Sequence, residues 1–412
     1  MLTNDGTSMR QERQRDNQQW MLDWIIKTTG REQNFAYDYR RFPPEAKSYR
    51  MIPRVMHREG AHKEALARAA DEAGHAETAT ALYYEAVETY RHGQHVIFED
   101  DNPEKTFLHD RMSACYDRIV ALSNGAIERV EIAWEDHLMS GILHRTTGPS
   151  PAPLVIFCPG MDMTKEAMPH PANNPWARRG LHILSIDGPG QGVSNLRKVR
   201  VTADNYERAA TAFVDAMVER PDVDAGKIAV SGFSMGSHWG TRLAALDSRV
   251  KAIATAAACY GSKRPLFQFA SPRFKQMFMY MAGIHDEDEF DDLAEQMGLL
   301  DEAAQIRCPS LQVIGEYDPL CYLEDAYDVY ERIQGPKEFW VIENDFHIPV
   351  ACRNLGGLDI YPFLADWLRD ALNGRFADGH RRDVLVQERR GAGPYSDPVP
   401  GYWLPERAPL LD

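Results

Sequence analysis

A serine lies between two glycines in the segment Gly-Phe-Ser-Met-Gly at residues 232–236, directly after an apolar stretch. The pattern G-x-S-x-G between a strand and a helix is typical of a nucleophile elbow, a sharp turn that lifts the serine hydroxyl clear of a sheet. Glycines two residues on either side leave room for the crossing backbone. Because short patterns of this kind also arise by chance, Ser234 is a candidate nucleophile only if a base and an acid accompany it.

A histidine and an aspartate follow later strands, as such a nucleophile requires. A serine hydroxyl is a poor nucleophile until a base removes its proton, and that base needs an orienting acid. Asp318 follows the apolar segment LQVIG, and His347 follows FWVIE, so both are predicted to lie in loops at strand ends. The chain order Ser, Asp, His is the one expected for a nucleophile elbow on this kind of sheet. We therefore predict that Ser234, Asp318 and His347 form a catalytic triad.

Three residues close to these positions are weaker candidates. Glu316 precedes Asp318 by two residues and could replace it as the acid. His238 falls inside the helix predicted after the serine, where we expect it to pack. Asp345 is expected to lie in a turn.

Acyl transfer also needs hydrogen-bond donors for a developing oxyanion. We expect one donor to be the backbone N–H of Met235, directly after the nucleophile, and the second to be the N–H of Met161. Gly160 lets the chain turn there, after the predicted strand LVIFC. The glycine-rich segment DGPGQG at 187–192 lacks G-x-G-x-x-G spacing and a lysine, so we interpret it as a strand-end turn rather than a nucleotide site.

Composition limits the partners and cofactors that we expect. The formal net charge of -15 over 412 residues argues against nucleic acid and anionic membranes, which need clustered Lys and Arg. The sequence contains no apolar run long enough to span a membrane and no signal-peptide core at its start, so we expect a cytoplasmic protein. Its six cysteines lack C-x-x-C spacing and are expected to be reduced. We expect neither a metal nor another cofactor.

Hydrophobic periodicity divides the chain into helical and mixed parts. Residues 1–125 carry apolar side chains at three- and four-residue steps and predict an N-terminal helical accessory domain. Short apolar strands alternate with helices over 126–261 and 307–373, which predicts an α/β core with a mostly parallel sheet and helices on both faces. Residues 262–306 are too long for a simple crossover and predict an inserted helical lid. Residues 374–412 are expected to form an extended C-terminal tail.

The motifs GFSMG, DGPGQG, GEYDP and DFHIP together resemble the α/β-hydrolase superfamily. The helical N-terminal region and the insertion resemble, more narrowly, the group of 2,6-dihydroxypseudooxynicotine hydrolase, fungal heptaketide-shortening hydrolases and FrsA-like esterases, over about residues 15–373. This resemblance implies the α/β-hydrolase fold and the roles assigned above to Ser234 and its partners. Members of the group cleave a carbon–carbon bond next to a ketone, or an ester, so the implied partner is a small-molecule ketone or ester.

Four further side chains are candidates for contact with that substrate. Phe278 belongs to the predicted lid and could line an apolar pocket. Asp162, Tyr260 and Arg264 lie near predicted strand ends, where ligands bind in parallel sheets. A carbon leaving group needs an enclosed pocket and a polar contact beyond the triad, which these side chains could supply.

We therefore expect a serine hydrolase that cleaves a carbon–carbon bond adjacent to a ketone, in a polyketide-like or aryl-diketone-like substrate. The alternatives are a carboxylesterase acting on a small or aromatic ester, and a non-catalytic binding protein on the same fold. The oligomeric state is left open, with a homodimer as one candidate.

Overall fold

The computed structural model describes residues 33–34, 41–347 and 352–387. Two short strands, β1 (Gln33–Asn34) and β2 (Arg41–Phe42), pair antiparallel within a region where the sequence predicted helices only. Across the described ranges, every helix is too short or too polar to cross a membrane.

Three long helices follow these strands: α1 (Ile52–Glu72), α2 (Ala76–His95) and α3 (Pro103–Leu122). Helices α1 and α2 form a hairpin in which Gly60 lets the Tyr90 ring approach, since an added Cβ would lie 2.7 Å from that ring. Asn102 caps α3 by accepting the N–H groups of Glu104 and Lys105. The three helices bury a shared apolar core, as the periodicity of the sequence predicts.

Nine strands form one mixed sheet in the order β11-β10-β9-β8-β7-β5-β6-β4-β3. They are β3 (Ile127–Trp134), β4 (His137–His144), β5 (Ala152–Cys158), β6 (His182–Asp187), β7 (Val223–Phe233), β8 (Val250–Ala256), β9 (Ser310–Gly315), β10 (Lys337–Ile342) and β11 (Arg381–Val386). Only β4 runs against its neighbours in this sheet. The carboxyl ends of the parallel strands therefore lie along one edge, where β7, β9 and β10 lead into the predicted site.

Helices cover both faces of the sheet, because its central strands are apolar on both sides. In β5, Val155 and Phe157 belong to one core, and Leu154 and Ile156 belong to the other. The covering helices are α4 (Gly192–Leu196), α5 (Asn205–Val218), α6 (Met235–Leu246), α11 (Leu323–Arg332) and α12 (Tyr361–Leu372). This is the layered α/β arrangement that the alternation of elements predicts.

The insertion between β8 and β9 is helical. It contains α7 (Lys263–Phe269), α8 (Pro272–Ala282), α9 (Glu287–Glu295) and α10 (Leu300–Ala303). Side chains of α8 and α9 join the core that also holds α5 and α6. The insertion is therefore packed on the helical layer that follows the nucleophile.

The segment expected to be an extended tail contributes a strand instead. Strand β11 pairs in parallel with β10 over its whole length, so the sheet continues beyond residue 373. The sequence RRDVLV hides this strand because only its last three residues are apolar and buried. The rest of the expected tail, from 388 onward, lies outside the described residues.

Candidate active site

Ser234 lies between β7 and α6 with φ 55° and ψ -125°, a conformation that strains any residue with a side chain. Both flanking glycines are required by close backbone contacts. An added Cβ on Gly232 would lie 2.3 Å from the carbonyl oxygen of Gly236. An added Cβ on Gly236 would lie 1.9 Å from the carbonyl oxygen of Cys158. The turn thus has the geometry of a nucleophile elbow.

The side chains of Ser234, His347 and Asp318 form one hydrogen-bonded chain. The Ser234 Oγ lies 2.7 Å from His347 Nε2, and His347 Nδ1 lies 2.8 and 2.9 Å from the two carboxylate oxygens of Asp318. All three are buried, with exposed fractions of 8, 4 and 4% for Ser234, Asp318 and His347. With its Nδ1 proton donated to the carboxylate, the imidazole can accept the serine proton at Nε2.

Backbone donors fix the carboxylate of Asp318. Its Oδ1 accepts the N–H groups of Leu320 at 2.8 Å and Cys321 at 3.2 Å. These bonds hold the side chain in the turn after β9 independently of His347. The acid is therefore positioned by the fold before the base meets it.

The weaker candidates lie elsewhere. Glu316 accepts the backbone N–H of Asn344 at 2.8 Å, at the exposed side of its loop. His238 is fully buried in α6, where burial lowers its pKa well below the usual value. Asp345 lies in the turn after β10, and its carbonyl oxygen accepts the N–H of Tyr317 at 2.9 Å.

Two backbone N–H groups are available beside the serine. Gly160 packs against the nucleophile, since an added Cβ there would lie 3.2 Å from the Cβ of Ser234. Met235 is the first residue of α6, so its N–H has no partner within that helix. In the part of the chain that the structure describes, the N–H of Met161 is bonded to no acceptor. A backbone N–H without an acceptor can serve as a donor to a developing oxyanion.

A buried ionic cluster lies behind the loop that carries Met161, and sequence reasoning missed it. Asp187 accepts the backbone N–H of Lys165 at 2.8 Å and its ammonium at 2.7 Å, and that ammonium lies 2.9 Å from Glu166. Burial opposes the charge on Glu166, but the nearby cations Lys165 and Arg129 outweigh it and lower the pKa of Glu166. The aspartate of the DGPGQG turn thus ties that turn to the loop after β5. The only sequence signal was an acidic residue at the end of a mostly apolar segment.

A pocket of about 50 Å³ opens beside Met161. One wall comes from the N-terminal helices, and it includes Arg91, Gln94 and Lys105. The opposite wall comes from α8, and it comprises Met277, Tyr280 and Met281. The pocket is therefore polar on the side of α2 and α3 and largely apolar on the side of the insertion.

Two cations give the polar wall its character. Burial lowers the pKa of Lys105 to about 8, and its ammonium donates to the carbonyl oxygen of Ile97 at 2.9 Å and lies 4.9 Å from the centre of the Tyr280 ring. Arg91 donates to both carboxylate oxygens of Glu88, at 2.9 and 2.6 Å. Burial disfavours the arginine charge, but Glu88 outweighs it and raises the pKa of Arg91.

Of the four predicted substrate contacts, the structure brings one to this pocket. Asp162 lines it. Tyr260 is buried and shares a hydrogen bond with Thr255. Arg264 forms an exposed ion pair with Glu295 at 2.8 Å. Tyr260 and Arg264 therefore lie away from this pocket, each with a structural partner of its own.

Phe278 also lies away from the pocket. It is fully buried in an aromatic cluster, with ring centres 4.9 Å from Phe267, 5.8 Å from Phe290 and 6.3 Å from Trp239. Successive residues of a helix are rotated by about 100°, so α8 directs Met277 and Phe278 to different surroundings. Phe278 therefore attaches the insertion to α6 and does not line this pocket.

Comparison with known proteins identifies the family. Residues 49–282, more than half of the chain, match the family model described as Esterase FrsA-like. The chain belongs to the FrsA-like esterase family. It is similar to 2,6-dihydropseudooxynicotine hydrolase of Paenarthrobacter nicotinovorans, with 28% identity over 266 residues that cover 62% of this chain and 68% of that protein.

More distant matches agree with this assignment. Identity is 28% over 198 residues to the alpha/beta hydrolase xenA of Xenoacremonium sinensis, covering 45% of this chain and 46% of that protein. Identity to Esterase FrsA of Vibrio cholerae is 28% over 193 residues, covering 46% of this chain and 44% of that protein. The matched segments thus span about half the length of these two relatives. The relatives are named hydrolases and esterases, and this chain is a hydrolase.

Solved structures support the same fold. The crystal structure of the 2,6-dihydroxy-pseudo-oxynicotine hydrolase superposes with a TM-score of 0.70 and 23% identity, covering 80% of this chain and 92% of that one. The structure of AbyA5 superposes with a TM-score of 0.59 and 18% identity, covering 76% of this chain and 88% of that one. The fold is therefore that of the α/β hydrolases, with a helical region before the core.

Proposed function

We propose that this FrsA-like family member is a serine hydrolase in which Ser234 is the nucleophile, His347 the general base and Asp318 the residue that orients the base. The observation that carries this proposal is the unbroken chain of hydrogen bonds from Ser234 Oγ through His347 to Asp318. The backbone N–H groups of Met161 and Met235 hold the oxyanion that forms when the serine adds to a carbonyl carbon.

The reaction that we propose is the hydrolysis of a carbon–carbon bond next to a ketone. Ser234 adds to one carbonyl of a 1,3-diketone while His347 takes its proton. The tetrahedral adduct collapses, the bond to the central carbon breaks, and the protonated imidazole returns that proton to the departing enolate carbon. Water then cleaves the acyl-enzyme by the same route, so one diketone and one water give one carboxylic acid and one methyl ketone.

Two features support a carbon leaving group. The pocket lies between the N-terminal helices and the insertion, so both segments are available to contact a leaving group. Its cationic wall, with Lys105 and Arg91, favours the negative charge that a departing enolate carries on oxygen. The curated relative from Paenarthrobacter nicotinovorans is likewise named a hydrolase of a pseudooxynicotine, a ketone.

A carboxylesterase is the second candidate, and the family match favours it. An alkoxide leaving group needs only the protonated His347, so an ester could use the same residues without the cationic wall. The two candidates differ in the bond that breaks and not in the nucleophile.

The nucleophile is tested by labelling with a fluorophosphonate probe, followed by peptide mass spectrometry. We expect the modified peptide to carry the probe on Ser234 and the variant Ser234→Ala to remain unlabelled. Ser231→Ala is the matched control, because Ser231 lies three residues earlier in β7 and its buried hydroxyl is bonded to no other described residue. Absence of labelling in the wild-type protein would contradict catalysis and leave the binding-protein alternative.

The bond is tested by comparing an aryl 1,3-diketone with a p-nitrophenyl ester of similar size in ¹⁸O-labelled water. Carbon–carbon hydrolysis predicts an aryl carboxylic acid with one heavy oxygen, together with an unlabelled methyl ketone. Rapid ester turnover with no diketone cleavage would instead establish the esterase. Ser234→Ala should abolish whichever reaction occurs.

A further inference from the structure

Gln191 is buried between the DGPGQG turn and the loop after β5, with an exposed fraction of 1%. Its Nε2 donates to the carbonyl oxygen of Gly160 at 2.7 Å and to that of Pro159 at 3.3 Å. Its Oε1 accepts the hydroxyl of Tyr206 at 2.7 Å and the backbone N–H of Gly188 at 3.3 Å. A buried amide whose two ends are both occupied is held in one orientation.

The carbonyl that Gln191 binds belongs to the same peptide unit as the N–H of Met161. The described cis peptide bonds lie elsewhere, at Ser150-Pro151 and Met168-Pro169. In a trans peptide unit the C=O and the N–H point in opposite directions. We propose that Gln191 is a positioning residue, which holds the Gly160 carbonyl away from Ser234 and thereby directs the N–H of Met161 toward the oxyanion.

Tyr206 determines which end of the amide faces the loop. Burial raises the pKa of its hydroxyl well above the usual value, so Tyr206 remains a donor at working pH. The hydroxyl and the N–H of Gly188 both donate to Oε1, which leaves Nε2 as the end that faces Gly160 and Pro159. A flipped amide would bring oxygen against oxygen at Gly160 and N–H against N–H at Gly188, so the bonds to the backbone would be lost.

The tyrosine is held by the helical layer. Its ring stacks on Trp239 at 4.0 Å with an angle of 2° between the planes, and Trp239 in turn meets Phe278 of the insertion at 6.3 Å. Gly188 is required beneath the ring, since an added Cβ would lie 2.1 Å from Tyr206 Cε2. The orientation of one backbone N–H thus depends on contacts that extend to the insertion.

This inference rests on the proposed function, because it assigns Gln191 to the oxyanion site of that reaction. In Gln191→Met, which keeps the length but loses both polar ends, we expect kcat to fall about 10- to 100-fold while KM stays within about twofold. Tyr206→Phe keeps the stack on Trp239 and should give a smaller loss of the same kind. Ser185→Ala in β6 is the control, because its buried hydroxyl is bonded to no other described residue.

A trifluoromethyl ketone separates this role from a general loss of packing. Such a ketone forms a tetrahedral adduct with the serine and binds through the oxyanion donors, so its affinity should weaken in parallel with kcat in both variants. In Gln191→Glu, the carboxylate cannot donate to Gly160 but the protonated acid can. The ratio of variant to wild-type kcat/KM should therefore rise as the pH falls.

The outcomes are distinct. If the wild-type protein is active and Gln191→Met keeps both its kcat and its affinity for the trifluoromethyl ketone, the positioning role is wrong while the proposed function stands. If the wild-type protein neither reacts with the fluorophosphonate nor turns over, the proposed function itself fails. If Gln191→Met does not fold, Tyr206→Phe asks the same question through the loss of a single hydroxyl, and unchanged kinetics in that variant overturn the proposal.

Discussion

Replacing Asp318 by asparagine tests the proposed triad most sharply, because the structure determines how the new amide must sit. Oδ1 of Asp318 accepts two backbone N–H groups, from Leu320 at 2.8 Å and Cys321 at 3.2 Å. An asparagine in this place keeps its oxygen toward those donors. Its amide nitrogen then takes the position of Oδ2, 2.8 Å from His347 Nδ1.

That orientation favours the wrong tautomer on the histidine. The retained oxygen also lies 2.9 Å from Nδ1, but when Nδ1 accepts the amide N–H, the ring proton moves to Nε2 and faces Ser234 Oγ. The imidazole can then no longer take the serine proton. The same substitution in a serine protease lowers kcat by about 10⁴-fold, and we expect a similar loss in kcat for Asp318→Asn, which corresponds to about 5 kcal/mol in the barrier.

The assay is the initial rate on the better substrate of the diketone and ester pair, with the melting temperature measured in parallel. Glu316→Gln is the matched control: it changes another carboxylate in the same loop, which faces Asn344 rather than the histidine. We expect the control to keep its activity. If Asp318→Asn retained more than about a tenth of the wild-type kcat, with Glu316→Gln inactive, the tautomer argument would fail and the acid would be Glu316.

Three further predictions concern the triad, the insertion and the pocket. Ser234→Ala and His347→Ala should each lower kcat by about 10³- to 10⁶-fold. The double variant should be little worse than either single variant, because the triad acts as a unit. Near-additive losses in steady-state kinetics would contradict this. Phe278→Ala should lower the free energy of unfolding, measured with urea, by about 3–5 kcal/mol without altering substrate preference. Arg264→Ala removes only an exposed ion pair and should lower it by less than about 1 kcal/mol. Equal losses in the two variants would refute the buried position of Phe278. The pKa of Lys105 is lowered to about 8, so its positive charge is present below that pH and lost above it. KM for a carboxylate-bearing ester should therefore rise between pH 7 and 9. Lys105→Met should show no such rise, and an identical rise in that variant would exclude Lys105 as the cause.

The sequence is informative about this site where chemistry imposes local geometry. Ser234 could be predicted because its strained turn demands glycines at fixed positions, and Gly232 and Gly236 indeed meet backbone oxygens at distances that no Cβ tolerates. Asp318 and His347 could be predicted because apolar strands end just before them. These signals lie within a few residues of the side chain concerned.

Other features depend on partners far apart in the chain, and the sequence did not indicate them. Strand β11 is recognisable only through its pairing with β10, since half of its residues are polar. Gln191 resembled any polar residue in a glycine-rich turn, and its importance follows from a carbonyl 31 positions away. A hydrogen bond of that kind leaves no pattern in the local sequence.

The pocket shows why substrate contacts are harder to predict than the triad. Its apolar wall depends on the rotation of α8, which turns Met277, Tyr280 and Met281 toward the cavity and Phe278 into the core. Its polar wall comes from helices more than 100 residues before the nucleophile, including Lys105. A substrate bound in this space, as the proposed function expects, would contact two segments that are remote in sequence and joined only by the fold. Under the proposed function, specificity therefore depends on how α3 and α8 face each other, while the positions of the triad residues depend on the strand ends that carry them.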